Sequence, residues 1–263
     1  MRNRFLYYKI FIVILALGII SCKKQERHKG YHFYGYYDDQ HKKLHQTGWV
    51  NEFEREDGSW EIFSEEGKLI QSGTYENGLP IGKWNYNLLN YLTDSLTWQK
   101  FESTDIEVSL PSSYHLLDQT SDGNLQLIFR DSITNSLLSI SKYLKKEIDI
   151  NGYSMINESE MLRTFDIDFY KLETVTTSDQ IYFIEQYNFY DNQHEIDLVQ
   201  HFILIETDTN LFVLNHTGEQ KDSLKLKFIL GEIFYHLFYN DSRLFNPLTN
   251  KNQKVITRDL YRR

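Results

Sequence analysis

Cysteine, proline and methionine are scarce in this chain of 263 residues, which has one cysteine, three prolines and three methionines. A lone cysteine excludes an intramolecular disulfide and a cysteine-built metal site. No Gly-x-Ser-x-Gly elbow, phosphate-binding glycine loop or calcium loop occurs, so the signatures of those chemistries are missing. No apolar run approaches the roughly 20 residues that cross a bilayer as a helix. A basic excess is missing too: 28 Lys and Arg face 37 Asp and Glu, a net charge of −9. Such a chain is poorly suited to nucleic acid.

What is there begins with an eleven-residue apolar run, Ile10 to Ile20, preceded by Arg2, Arg4 and Lys9. These are the charged and apolar regions of an export signal. The run ends in Ile19-Ile20-Ser21-Cys22, which resembles the lipobox of bacterial lipoproteins. The resemblance implies a signal peptide over 1–21, lipid attachment at Cys22 and a location in the bacterial cell envelope. Several acyl chains would make that anchor firm, at about 0.8 kcal/mol per buried methylene. Lys23 and Lys24 stand where surface-exported lipoproteins carry acids, which points to the periplasmic face. Residues 22–30, polar and aperiodic, read as a tether. Without residues 1–21, which hold three Lys and Arg and no acid, the body carries a net charge of −12.

From 31 to 90 the chain turns aromatic and is punctuated by glycine. Gly58-x-Trp60 recurs as Gly82-x-Trp84, a period of 24 residues, and a fixed period of that size marks stacked supersecondary units. Glu66-Gly67 and Asn77-Gly78 read as hairpin turns between short aromatic strands. The Gly-Lys-Leu, Gly-x-Tyr-x-x-Gly and Gly-x-Trp-x-Tyr elements resemble the variant MORN repeat, found in YwqK-type antitoxins. Only two to two and a half units are credible, because Gly30 to Thr47 is degenerate. So short an array is expected to pack on the domain C-terminal to it. Trp49, Trp60, Tyr75, Trp84 and Tyr86 are candidate partner-binding residues if they form an exposed ladder. The alternative is that they form the core of the repeats.

Residues 88–104 read as a connector, and a second unit, within 100–240, comes next. Ile106, Val108 and Leu110 alternate with polar residues up to Pro111, a half-buried strand. Further strands are expected at 125–130, 137–143, 181–189, 196–206 and 211–215. A helix is expected from Glu158 to Glu173, where Leu162, Phe165, Phe169 and Leu172 step by three and four. Another is expected over Asp222 to Tyr239, with Leu226, Ile229, Ile233 and Leu237 on one face. This order predicts an α+β fold, an antiparallel sheet packed with helices behind the short β-hairpin repeat segment. The layout, opening on Ile106–Leu110 and Pro111-Ser112-Ser113-Tyr114, resembles the PsbP-like fold, including DcrB-type lipoproteins. The resemblance implies an assembly factor, accessory subunit or binder, without enzymatic activity or cofactor.

Residues 241–263 set Arg243, Lys251, Lys254, Arg258, Arg262 and Arg263 against Asp241 and Asp259. This basic tail reads as a solvated, disordered end, or else as a grip on an acidic partner or on the chain's own acidic face. His194 and His201 lie seven apart, on opposite faces of a strand, so one metal cannot take both. Asp166, Asp168, Glu158 and Glu160 read as the wet face of a helix. The residues therefore point to no catalytic or metal site. The expected role is a membrane-anchored protein-binding or assembly module whose partner is an envelope protein. The alternative is a periplasmic immunity lipoprotein that neutralises a delivered toxin.

Overall fold

The computed structural model describes residues 30–38, 40–87, 95–103, 105–120, 124–177, 180–245 and 254–261. Cys22, the signal peptide and nearly all of the tether lie outside these residues. One antiparallel sheet has nine strands, in the order β1 (Gly30–Tyr36), β2 (Leu44–Asn51), β3 (Glu56–Phe63), β4 (Leu69–Glu76), β5 (Leu79–Tyr86), β6 (Ser95–Glu102), β7 (Ile106–Pro111), β15 (Phe238–Tyr239) and β16 (Ser242–Arg243). The second, with eight, runs β17 (Lys254–Tyr261), β11 (Ile167–Thr176), β12 (Ile181–Asp191), β13 (Ile196–Glu206), β14 (Asn210–Glu219), β10 (Leu137–Leu144), β9 (Leu125–Asp131) and β8 (Tyr114–Thr120). Two α-helices, α1 (Ile150–Thr164) and α2 (Ser223–Tyr235), complete the described residues.

The 24-residue period becomes a packing rule. Gly48 pairs with Trp60 across β2 and β3, and Trp60 pairs with Gly73 across β3 and β4. The indoles of Trp60 and Trp84 lie so close to Gly48 and Gly73 that an added Cβ would fall 2.3 and 2.1 Å from a ring atom. Gly58 and Gly82, the first residues of the two Gly-x-Trp motifs, both have positive φ, 73° and 61°, where an L side chain is strained. The two Trp rings and their neighbours face inward, into a core shared with the second sheet. That core joins Trp60, Trp84 and Trp98 to Ile140, Ile203, Phe212 and Leu214 of the second sheet and to Ile229, Ile233 and Phe234 of α2. The opposite face of the second sheet packs on α1 through Tyr170, Tyr187, Phe189, Phe202, Ile150 and Met161.

The α+β expectation is corrected by this arrangement. The protein is predominantly β, with two large antiparallel sheets and only two α-helices among the described residues. The repeat strands continue through β6 and β7 into one broad sheet, which supplies much of the cover that helices were expected to give. β6 falls in the stretch read as a connector: Trp98 is buried there and donates to the Tyr86 hydroxyl at 2.8 Å.

The central helix also lies elsewhere than expected. It starts at Ile150 because the Asp149 side chain accepts from Gly152 N at 2.7 Å, an N-cap bond that satisfies one of the helix's free donors. It ends at Thr164, and residues 167–176 are strand β11, hydrogen-bonded on both sides by β12 and β17. Pairing on two edges outweighs the three-four spacing that suggested a helix. The last helix is shorter than expected: after Tyr235 the chain returns to strand and pairs with β7. The disordered reading of the tail is corrected for its described part. Arg243 lies on β16, and Lys254–Tyr261 forms the edge strand β17, held by Arg258 to Glu158 and to the Tyr170 hydroxyl.

Candidate functional site

Of the five aromatic residues singled out in the sequence, four are buried and one is exposed. Trp60, Tyr75, Trp84 and Tyr86 form a ladder that points inward. Trp60 meets Tyr75 edge-to-face at 5.9 Å, and Tyr75 meets Trp84 at 4.7 Å. The indole N–H groups donate to backbone carbonyls, Trp60 to Trp49 O and Trp84 to Thr74 O. The ladder ends on the C-terminal elements, where Tyr86 meets Phe228 at 5.1 Å and Tyr75 meets His236 at 5.1 Å. These four rings hold the sheet together.

Trp49 alternates with buried Val50 and so faces solvent. It is 42% exposed, and Tyr34, 56% exposed, shares its face of the sheet, whereas Tyr31 pairs with Val50 and so lies on the other face. His32 is its cross-strand partner; the imidazole lies 5.5 Å from the Trp49 ring and 4.6 Å from that of Tyr34. Thr47 beside them donates to Phe33 O at 3.1 Å. Among the described residues β1 pairs only with β2, and no described strand pairs its outer edge. Rigid aromatic rings with polar tips beside an open strand edge are the elements from which protein interfaces are built. His32 and Tyr34 lie in the degenerate stretch from Gly30 to Thr47, outside the repeat pattern, which is why the sequence did not single them out. The signal for them was aromatic density with no glycine-tryptophan partner to bury it.

The buried polar groups have different geometry. His216 Nδ1 donates to Leu226 O at 3.0 Å, and its Nε2 accepts from the Tyr114 hydroxyl at 2.7 Å, with Ser136 Oγ 3.2 Å away. Thr134 donates its hydroxyl hydrogen to Asp131 at 2.6 Å and accepts from the Ser136 N–H, with Ser136 Oγ 3.0 Å away. The imidazole's Nδ1 is committed to a carbonyl, and no carboxylate orients it as in a nucleophile-activating triad. Burial holds His216 down to about 4, so it is a neutral structural link. His201, its cross-strand neighbour, is held down to about 3 by burial, with His216 and Lys227 adding to the effect. Glu185 lies beneath α1, its carboxyl raised by burial against hydrogen bonds from Ser154, Asn157 and Tyr187. His194 is an exposed turn residue bonded to Asp191. Among the described residues no cluster of His, Cys, Asp or Glu could hold a metal ion. No described helix is long and apolar enough to cross a membrane.

Two open cavities lie away from the aromatic hairpin's solvent face or at its end. One of about 620 Å³ is lined by Lys145, Asn151, Gln180 and Glu206; Glu206 is already committed, to Lys145 at 2.6 Å and to Ile150 N at 3.0 Å. The other, of about 410 Å³, lies where Phe53, Glu54 and Arg55 meet Phe238, Asp241 and Arg243. There Arg55 and Arg243 both lie over the Phe238 ring, at 4.5 and 5.2 Å.

No family model matches this chain, and no curated protein matches it. Solved structures do resemble parts of it. The solution structure of cyanobacterial PsbP (CyanoP) from Synechocystis sp. PCC 6803 is 14% identical, with a TM-score of 0.42, over 54% of this chain and 92% of that one. A crystal structure from Bacteroides thetaiotaomicron VPI-5482 is 15% identical, with a TM-score of 0.38, over 54% of this chain and 48% of that one. A protein of unknown function from Pseudomonas aeruginosa is 11% identical, with a TM-score of 0.32, over 51% of this chain and 92% of that one. At these scores the likenesses are partial ones of shape.

Proposed function

We propose that this chain is a membrane-anchored envelope lipoprotein that acts as a non-catalytic protein-binding or assembly module. The observation that carries the binding role is the first hairpin: Trp49 and Tyr34 exposed on one face, with His32 between them, beside the edge of β1 that no described strand pairs. Trp and Tyr supply large contact areas at low entropic cost and dominate interface energetics. The lipid anchor is supported by the sequence Ile19-Ile20-Ser21-Cys22 after a charged and apolar leader. With Cys22 acylated, the aromatic hairpin begins within nine residues of the membrane surface, at most about 30 Å of extended chain.

A second reading is favoured by the charge of the body, −12 without residues 1–21. An immunity lipoprotein that caps a delivered basic toxin needs such a surface, because complementary charge speeds encounter.

The test is capture from cell envelopes and from secretions of neighbouring strains, with wild-type protein and a Tyr34→Ser/Trp49→Ala variant. A partner held in stoichiometric amount by wild type and lost from the variant supports the hairpin. An envelope resident makes the protein an assembly module, and a secreted toxin makes it an immunity protein. Equal capture by both proteins removes the hairpin as the binding surface. Cys22→Ala should move the chain out of the membrane fraction; retention there removes the lipoprotein reading.

A further inference from the structure

Helix α2 carries a second stripe that the core does not use. Leu226, Ile229, Leu230, Ile233 and Phe234 are buried. Leu224, Phe228, Gly231 and Tyr235, stepping by four, three and four, run along another flank. With Lys227 and Glu232 they line a groove of about 300 Å³. The groove is there because position 231 has no side chain. Glycine is a poor residue for a helix interior, and nothing local requires it: a Cβ added at Gly231 meets nothing within 4 Å, and its φ is not positive.

Glu232 supplies the polar group of this groove. Its side chain is 15% exposed, and His236 Nε2 stands 3.9 Å from its carboxylate. No described residue donates a hydrogen bond to it. His236 cannot: its Nδ1 donates to Gly78 O at 3.0 Å, which leaves Nε2 to accept from the Tyr75 hydroxyl at 3.3 Å. Lys227 at the rim is exposed and forms no described ion pair. Burial without a donor pushes the Glu232 carboxyl up to about 7. An acid so placed, with the aromatic side chains of Phe228 and Tyr235 in the same lining, has the components that hold an organic cation.

We infer that this groove receives the lysine or arginine side chain of a protein partner, whose charge pairs with Glu232 and whose methylenes lie between Phe228 and Tyr235. The inference rests on the protein-binding reading above and adds to it the chemistry of one contact. A protein is the occupant because the groove opens beside Leu224, an exposed apolar shoulder that a free amine cannot cover. The acidic body around it favours a basic partner. Apart from Lys227 at the rim, the groups facing Glu232 stay neutral near pH 6.5: His236 is held down to about 4, chiefly by burial, while burial raises Tyr75, Tyr86 and Tyr235. Binding a cation at that pH therefore releases a proton from Glu232 itself.

The experiment titrates the full chain, in non-ionic detergent, with n-butylammonium, methylguanidinium and neutral n-butanol. Amide NMR shifts at Gly231 and Glu232 and calorimetric proton release are read together. Both cations should give saturable shifts with proton release, and n-butanol should give neither. Glu232→Gln should weaken the cations roughly tenfold or more. Gly231→Leu, which fills the groove, should abolish binding while the thermal midpoint stays at or above that of wild type. Absent saturation, equal binding of n-butanol, or unchanged affinity in either variant overturns the inference. If the cations fail while Trp49-dependent capture of a partner persists, the groove is wrong and the binding module stands. If they bind and no protein is ever captured, the occupant is a small amine, and the assignment to a partner's side chain falls.

Discussion

Arg243 donates through both terminal nitrogens to the carboxylate of Glu56, 187 positions earlier in the chain. The two side chains are 9% and 5% exposed. Burial pushes the Glu56 carboxyl up, but the charge and hydrogen bonds of Arg243 more than offset it and leave it below its ordinary value. Removing one partner of such a pair strands a buried charge and costs about 3–5 kcal/mol, whereas replacing both is often neutral. Arg243→Met should therefore lower the urea midpoint sharply, and adding Glu56→Met should restore most of it. A double variant as unstable as the single one would show that the arginine acts through packing on Phe238 rather than through the pair.

Stability should peak near neutral pH and fall faster on the acid side. His201, His216 and His236 are held at about 3, 4 and 4, chiefly by burial, against an ordinary 6.5. Below pH 6.5 the unfolded chain takes up protons that these rings refuse. Their contribution is thus complete above 6.5 and is lost as pH falls toward 4. Glu232, raised from 4.5 to about 7, has the opposite sign: its contribution is complete below 4.5 and is lost as pH rises through 7. Glu185, also raised by burial, has the same sign, so between 4.5 and 6.5 three groups oppose two and the net slope favours the higher pH. Urea unfolding measured from pH 4.5 to 8 checks this, and His201→Gln should flatten the acid limb by about one proton.

Gly48→Ala and Gly73→Ala should each destabilise by about 1–3 kcal/mol, because the new methyl group overlaps a buried indole. Gly231→Ala serves as the contrast: with open space around its Cβ, it should stabilise by about 0.5–1 kcal/mol. Thermal melts of the three single variants separate the cases. Tolerance at Gly48 and Gly73 would contradict the packing described for β2 to β5, and a loss at Gly231 would contradict the open flank of α2.

The strands legible in the sequence are those whose apolar residues alternate without interruption. Ile106, Val108 and Leu110 are buried in β7, and Leu125, Leu127 and Phe129 in β9. The 24-residue glycine–tryptophan period was legible as well, but a period does not say which way the rings point. That depends on which face of the sheet meets α2 and the second sheet, a contact between residues 161 positions apart in the case of Tyr75 and His236. The helix assigned to 158–173 failed for a related reason. Phe165, Phe169 and Leu172 satisfy helical spacing, yet Phe169 and Leu172 lie in a strand paired on both edges by distant segments. β6 was overlooked because its parity changes along its length: Leu96 and Trp98 are sheltered, and then Phe101 rather than Lys100. The Glu232 groove left only one trace, a glycine in the middle of an otherwise apolar helix.

An array of hairpins can ordinarily be completed one unit at a time as it leaves the ribosome, each new strand laid on the last. Here β16, at one end of the nine-stranded sheet, carries the arginine that pairs with Glu56 of β3. Glu56 thus depends on a residue 187 positions later, so the pair closes only once nearly the whole chain is present. Without Arg243 a carboxylate only 5% exposed would lose its charge partner. The last hairpin of the sheet therefore completes the charge pairing of one of the first.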